Sequence, residues 1–114
     1  MSDCLFCKIV AEEIPAKRVY ESEQVIGFQD LHPAAPVHVL FIPKQHIGTI
    51  NDLQSTNAAL VGELFLGAQA YAKEQGFDEA GYRVVMNCNE QAGQTVFHIH
   101  LHLLAGRDFT WPPG

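Results

Sequence analysis

The chain has no apolar run of roughly 18 residues, the length a membrane-crossing helix needs, so nothing in it is expected to span a membrane. It is poor in cations, with seven Lys and Arg against thirteen Asp and Glu and a net charge of -6. An acidic body repels polyanions. That disfavours sequence-independent binding to DNA or RNA and leaves small phosphorylated ligands, held in a locally favourable pocket, as an accessible class. The start, Met1-Ser2-Asp3-Cys4, lacks the basic stretch and apolar segment of a signal peptide. Cysteines are few and odd in number, at Cys4, Cys7 and Cys88, which argues against a secreted disulfide framework. Together these features read as a cytoplasmic protein.

What is present suits one compact domain spanning 1–114, with a short C-terminal tail over 105–114. The 114 residues are 47% hydrophobic, enough for one core. Cys4 to Ala11 spaces its apolar residues as a short helix would, and Pro15 ends it. Val19-Tyr20 and Val25 to Phe28 flank the polar turn Glu21-Ser22-Glu23-Gln24 in a hairpin pattern. Val37 to Ile42 is almost wholly apolar and branched, which predicts a central strand. Leu60, Val61, Leu64, Phe65, Ala68 and Tyr71-Ala72 recur at helical spacing, with Ser55 or Thr56 to cap the start and Gly76 to stop it. Gly62 and Gly67 inside that helix let it lie close to a sheet. Tyr82 to Asn87 and Val96 to Leu104 are the last two expected strands. The sum is an α+β domain: an antiparallel sheet of about five strands, one long helix and a short N-terminal helix.

Six histidines are present, three of them at alternate positions: His98, His100 and His102. In a strand these share one face, while Ile99, Leu101 and Leu103 point to the core. An exposed polar face that happens to hold histidines is the plain reading. A single zinc held by all three fits poorly, because His98 and His102 have backbones about 13 Å apart and zinc–nitrogen bonds are about 2.0–2.1 Å. A division of labour fits better. Imidazole is a nucleophile toward phosphorus and partly deprotonated near neutral pH. His100 has a neighbour on each side, and a backbone carbonyl or second histidine can take its Nδ1 proton. His102 can contact the phosphate, and His38, on the other apolar strand, can extend the network or be a satisfied core histidine. Gly93-Gln94-Thr95 lies just before this row, where backbone N–H groups, an amide and a hydroxyl can cradle phosphate oxygens; Asn87 ends the preceding strand.

Cys4-Leu5-Phe6-Cys7 has zinc-ligand spacing. His46 and His98 are candidates to complete a closed, structural site. A redox pair and two buried thiols are the alternatives. The scattered acidic residues form no two-metal cluster, so no cofactor is expected to be required for catalysis.

The segment His98-Ile99-His100-Leu101-His102-Leu103-Leu104 fits the histidine triad signature, three histidines separated by single apolar residues and followed by two more. The match extends through Phe28-Gln29-Asp30, Pro33-Ala34-Ala35-Pro36-Val37-His38, Ile42-Pro43-Lys44, Tyr82 to Asn87, Gly93-Gln94-Thr95-Val96, Gly106-Arg107 and Trp111-Pro112-Pro113-Gly114. Over nearly its whole length the chain resembles the histidine triad nucleotide-binding proteins. The resemblance implies a homodimer whose sheets join into one larger sheet, and binding of purine nucleoside monophosphates. It implies hydrolysis of the P–N bond of purine nucleoside 5'-phosphoramidates, such as adenosine monophosphate linked to lysine or another amine, and of acyl-adenylates. In that mechanism His100 is the nucleophile that forms a nucleotidyl-histidine, His102 contacts the phosphate, and His98 and His38 extend the relay. Asn87, Gly93, Gln94, Thr95 and Val96 hold the phosphate and sugar side. Phe6, Ile9, Phe28, Asp30 and Leu31 surround base and ribose, with Asp30 accepting from the ribose hydroxyls. Trp111 reaches toward the partner's site. Many such enzymes carry serine where this chain has Thr95. Cys4, Cys7, His46 and His98 resemble the zinc site of some relatives. Nucleotidyl transfer through the same intermediate, and regulatory nucleotide binding, are the competing functions.

Overall fold

The computed structural model describes residues 3–114. In chain order its principal elements are α1 (Leu5–Val10), β1 (Arg18–Glu21), β2 (Val25–Gln29), β3 (Val37–Pro43), α2 (Ala58–Gln75), β4 (Arg83–Val85), α3 (Asn89–Ala92) and β5 (Leu101–Ala105). The five strands form one antiparallel sheet in the order β1-β2-β3-β5-β4. The expected central strand is central. The apolar run of β3 follows from that place, since both its faces are covered: Val39, Phe41 and Ile42 are at most 1% exposed.

Strand alternation sorts side chains to two faces. Val39 and Phe41 of β3, with Leu101, Leu103 and Ala105 of β5, pack against Leu60, Leu64, Ala68, Tyr71 and Ala72 of α2. The other face carries Leu40 and Ile42, with Ile26 and Phe28 of β2, and is covered by Phe6 and Ile9 of α1. His38 and His102 alternate with the residues of the first set and so fall on the second face. The long helix thus builds the core, and the short one covers the face that bears the histidines. Among the described residues no helix is long and apolar enough to cross a membrane.

Several boundaries differ from the sequence reading. Residues Ser55–Asn57 form a 3-10 turn, and Asn57, not Ser55 or Thr56, occupies the cap position of α2. Gly76 ends that helix in a left-handed conformation, as expected. The two internal glycines differ. A Cβ on Gly67 would lie 2.9 Å from Tyr20 and 3.3 Å from Phe41, whereas one on Gly62 would meet nothing within 4 Å. Only Gly67 is a close-approach residue. Gly62→Ala is accordingly expected to stabilise the protein by about 0.5–1 kcal/mol through helix propensity, and Gly67→Val to destabilise it by about 1–3 kcal/mol through overpacking; denaturant midpoints of the two variants check the opposite signs.

The last two strands are shorter than Tyr82 to Asn87 and Val96 to Leu104, and α3 sits in the loop between them. The β3–β5 ladder begins at the Phe41–Leu101 pair. Beyond Phe41, β3 runs into Pro43, which has no N–H to give, and the Ile99 N–H goes to the Ile47 carbonyl at 2.8 Å. Of the three histidines only His102 therefore lies within a regular strand.

Candidate active site and metal-ligating cluster

Hydrogen-bond partners decide the tautomers of His38, His102 and His100. The Ala34 N–H donates to His38 Nδ1 at 3.0 Å, so neutral His38 carries its proton on Nε2. That Nε2 lies 2.8 Å from His102 Nδ1. His38 therefore donates, His102 accepts, and the His102 proton sits on its own Nε2. His38 and His102 are diagonal partners across the β3–β5 ladder, where Leu40 stands opposite His102, and diagonal neighbours are within reach of ring side chains. Asp30 Oδ2, at 3.5 Å from His38 Nε2, lies behind the pair.

His100 is set separately. Its Nδ1–H donates to the His98 carbonyl at 2.8 Å, which leaves Nε2 with a free lone pair. The ring is 7% exposed, stands edge-on to Phe6 at 5.1 Å and lies 4.9 Å from the His102 ring. Burial is the main cause that holds His38, His100 and His102 below the ordinary histidine value, against a smaller upward pull from Asp30 in all three and from the His98 carbonyl in His100. His102, with His100 and His38 also pressing downward, falls to about 4. All three rings are neutral at pH 7.

The sign for stability comes from the same shift. Unfolded histidine takes up a proton near its ordinary value of about 6.5, while folded His102 does so only near 4. Its contribution is full above about pH 6.5 and is lost as pH falls from there toward 4. The melting temperature is expected to drop steadily through that window, whereas a His102→Gln variant should show a shallower slope. Equal slopes in the two proteins would contradict the assignment.

His98 does not join this relay with its ring. Its Nε2–H donates to the Pro43 carbonyl at 2.7 Å, and its Nδ1 lies 3.4 Å from Cys4 Sγ and 3.6 Å from Cys7 Sγ. Cys7 Sγ is 3.2 Å from His46 Nδ1. The four ligand atoms all lie within 4.8 Å of one another. A tetrahedral zinc with bonds of about 2.3 Å to sulfur and about 2.0–2.1 Å to nitrogen sets S···N edges of about 3.5 Å, so this donor set fits the ion. The carbonyl on the far nitrogen of His98 is the usual support for a metal-ligating imidazole. The site is closed, with four protein ligands, and so suits a structural ion rather than a reactive one.

Of the expected nucleotide-site residues, Phe6, Ile9 and Phe28 are buried together, with Val96 packed against them. The Phe6 and Phe28 rings meet edge to face at 5.5 Å. Asp30 lies just beyond β2 and accepts the His32 N–H on Oδ1 at 2.8 Å, which leaves acceptor positions over. Thr95 is exposed on the loop, and Asn87 is half-buried just beyond β4. Leu31 and Trp111 stand out from the chain, 89% and 82% exposed. In the tail before Trp111, the guanidinium groups of Arg83 and Arg107 lie over the Phe109 ring, 5.3 and 4.3 Å from its centroid.

The loop Gly93-Gln94 differs from the expected phosphate cradle. The Gly93 N–H donates to Glu90 and the Gln94 N–H to Asn89, closing the end of α3. The Gln94 side chain is 5% exposed; its amide donates to the Gly48 and Val96 carbonyls and accepts from the Asn89 N–H. Gln94 thus shapes the loop from within. The groups the sequence reading missed are all main-chain: the Ala34 N–H and the carbonyls of Pro43, Ile47 and Gly48. A pattern of side chains carries no signal for them.

Comparison with known proteins accords with this geometry. Residues 3–109 match the family model described as scavenger mRNA decapping enzyme C-term binding. A HIT-like protein of Synechococcus elongatus is 47% identical over 98% of this chain and 97% of its own. A 14 kDa zinc-binding protein of Brassica juncea is 42% identical, over 98% of this chain and 100% of its own. The crystal structure of a HIT family hydrolase from Legionella pneumophila superposes with a TM-score of 0.96 at 50% identity, covering 98% of this chain and 100% of that one.

Proposed function

This chain belongs to the histidine triad family, with solved HIT family hydrolases among its structural neighbours, and from that premise we propose that it hydrolyses the P–N bond of purine nucleoside 5'-phosphoramidates. The observation that carries this reading is the neutral His100. Its Nδ1–H is held by the His98 carbonyl, and its Nε2 lone pair is free beside a second imidazole that presents an N–H.

In the proposed reaction His100 Nε2 attacks the α-phosphorus. The N–P bond forms, the bond to the amine breaks, and the amine leaves with a proton from solvent. Water then cleaves the nucleotidyl-histidine, releases the monophosphate and returns His100 to its starting tautomer. His102 Nε2–H donates to a phosphoryl oxygen as negative charge builds there, and His38 keeps it in that tautomer. Phe6, Ile9, Phe28, Val96 and Leu31 would pack about the base and sugar, Asp30 would accept from the ribose, and Thr95 and Asn87 would frame the phosphate, on a loop that Gln94 holds from within. Acyl-adenylates present the same α-phosphorus. The four-ligand cluster would hold a structural zinc, and the chemistry itself uses no metal.

A homodimer belongs to the same proposal. β4 lies at the edge of the sheet with its outer side open to another strand, and Phe65 and Leu66 of α2 are about half exposed. Trp111 would then serve the partner's site. Light scattering of the purified protein measures the mass directly.

The reaction is tested by incubating the protein with adenosine 5'-phosphoramidate or a lysine-linked analogue, with and without chelator. Acid-quenched samples are followed by mass spectrometry. Monophosphate release with a transient adenylyl adduct on His100 is expected. A folded protein that binds the monophosphate yet forms neither adduct nor product would sink the reading.

A further inference from the structure

The metal-ligating cluster and the nucleophile meet in one residue. The His98 ring belongs to the Cys4/Cys7/His46/His98 cluster, while the His98 carbonyl holds His100 Nδ1–H at 2.8 Å. The sheet does not support this stretch, because β5 first pairs with β3 at Leu101. Its main-chain anchor is the Ile99 N–H on the Ile47 carbonyl, and Ile47 directly follows His46. The next carbonyl, Gly48, takes the Gln94 amide at 2.9 Å and so closes the loop ahead of the triad. On the other side, Cys4 and Cys7 flank Phe6, whose ring stands against His100 at 5.1 Å. One ion would join three chain segments, 4–7, 46–48 and 98–100, and each of them touches the nucleophile or the groups that hold it.

We propose that Cys4, Cys7, His46 and the His98 ring are positioning residues for the nucleophile: by fixing the His98 peptide they set the tautomer and aim of His100, in addition to stapling α1 to the sheet. With the ion bound, the His98 ring is held at both nitrogens and its peptide cannot turn. Without it, the segment rests on single hydrogen bonds. The His98 carbonyl can then leave His100 Nδ1, the proton redistributes to Nε2, and the lone pair that attacks phosphorus is lost in part of the population. Small errors in aim are expensive, since a displacement of about 1 Å can lower a rate by about 100-fold. The kinetic part of this inference rests on the proposed phosphoramidate reaction; the tautomer part does not.

His46 is the member to change, because it is exposed and lies outside the aromatic wall of the site. Zinc-loaded native protein, chelated native protein, His46→Ala and His46→Cys are compared for zinc content, melting temperature, monophosphate affinity and single-turnover rate. Ring nitrogens are followed by proton–nitrogen correlation spectra. Loss of zinc, in a protein still folded at the assay temperature, should slow nucleotidyl-histidine formation by about 10- to 100-fold while monophosphate affinity changes by less than about threefold. The His100 Nδ1–H signal should move or broaden. His46→Cys, which restores a fourth ligand, should recover zinc, signal and rate together. Folded zinc-free protein with native rate and native His100 signal would reduce the cluster to a staple and overturn the proposal, as would native protein that takes up no zinc. Should loaded native protein turn over no phosphoramidate, the proposed reaction fails, and the spectra alone decide: a His100 signal indifferent to zinc overturns the inference, and a shifted one supports it.

Discussion

His100→Ala is expected to lower phosphoramidate turnover by about 10⁴-fold or more, the size of effect seen when a covalent nucleophile is removed. The reason is local. His100 Nε2 is the ring nitrogen whose partner nitrogen is pinned by a backbone carbonyl, while the His98 ring is committed to the cysteines and Pro43, and the His102 Nδ1 to His38. Neither neighbour is set up to replace it. The variant should still bind nucleoside monophosphate, because Phe6, Ile9 and Phe28 form their wall from other elements. His102→Ala, which removes one positioned donor, should cost less, about 10²- to 10³-fold. Adduct formation measured by mass separates the two: absent in His100→Ala, slow but present in His102→Ala. A His100→Ala protein that retains turnover within tenfold of native would remove His100 from the role of nucleophile.

Phe41→Ala has the largest expected effect on stability, a loss of about 3–5 kcal/mol. Phe41 is fully buried on the central strand, with its ring 5.8 Å from Tyr20 and 6.3 Å from Tyr71, and it fills the space left by Gly27 and Gly67. Domains of this size are stable by about 5–15 kcal/mol, so the change removes a large share and should lower the melting temperature by more than about 10 °C. The same strand carries His38, and its Leu40 stands opposite His102. Activity lost in this variant at low temperature, where it is still folded, would show that the helix-side core also tunes the histidine face; retained activity would confine Phe41 to the core.

Residue pattern was enough to place the central strand at Val37 to Ile42, the long helix from Leu60 onward and its stop at Gly76, because periodicity and glycine conformation are local properties. It also placed Ile99, Leu101 and Leu103 in the core, while His98 and His100, expected on the opposite face, are themselves buried. The spacing of Cys4 and Cys7 carried the metal-site reading for a similar reason: two thiols three residues apart at the start of a helix share one end of it. Pattern also suggested a division among the histidines, with His98 toward the cysteines and His100 set apart from His102 and His38, but not the atoms that enforce it. Three identical imidazoles at alternate positions look equivalent along a strand, yet His98 turns to Pro43 and the thiols, His100 to a carbonyl and His102 to His38. That division comes from main-chain groups, near in sequence for His38 (Ala34 N–H) and His100 (the His98 carbonyl) and distant for His98 (the Pro43 carbonyl), with His38 itself setting His102; a backbone N–H or carbonyl has the same letter at every position. The inward turn of Gln94, the capped N–H groups of Gly93 and Gln94, and the start of β5 at Leu101 arise in the same way. Spacing and side-chain type, both present in the linear chain, thus mark the candidates for chemistry and the residues that build the core. Which nitrogen of each histidine holds its proton is decided only in the folded molecule, because that depends on the partner atom placed against it.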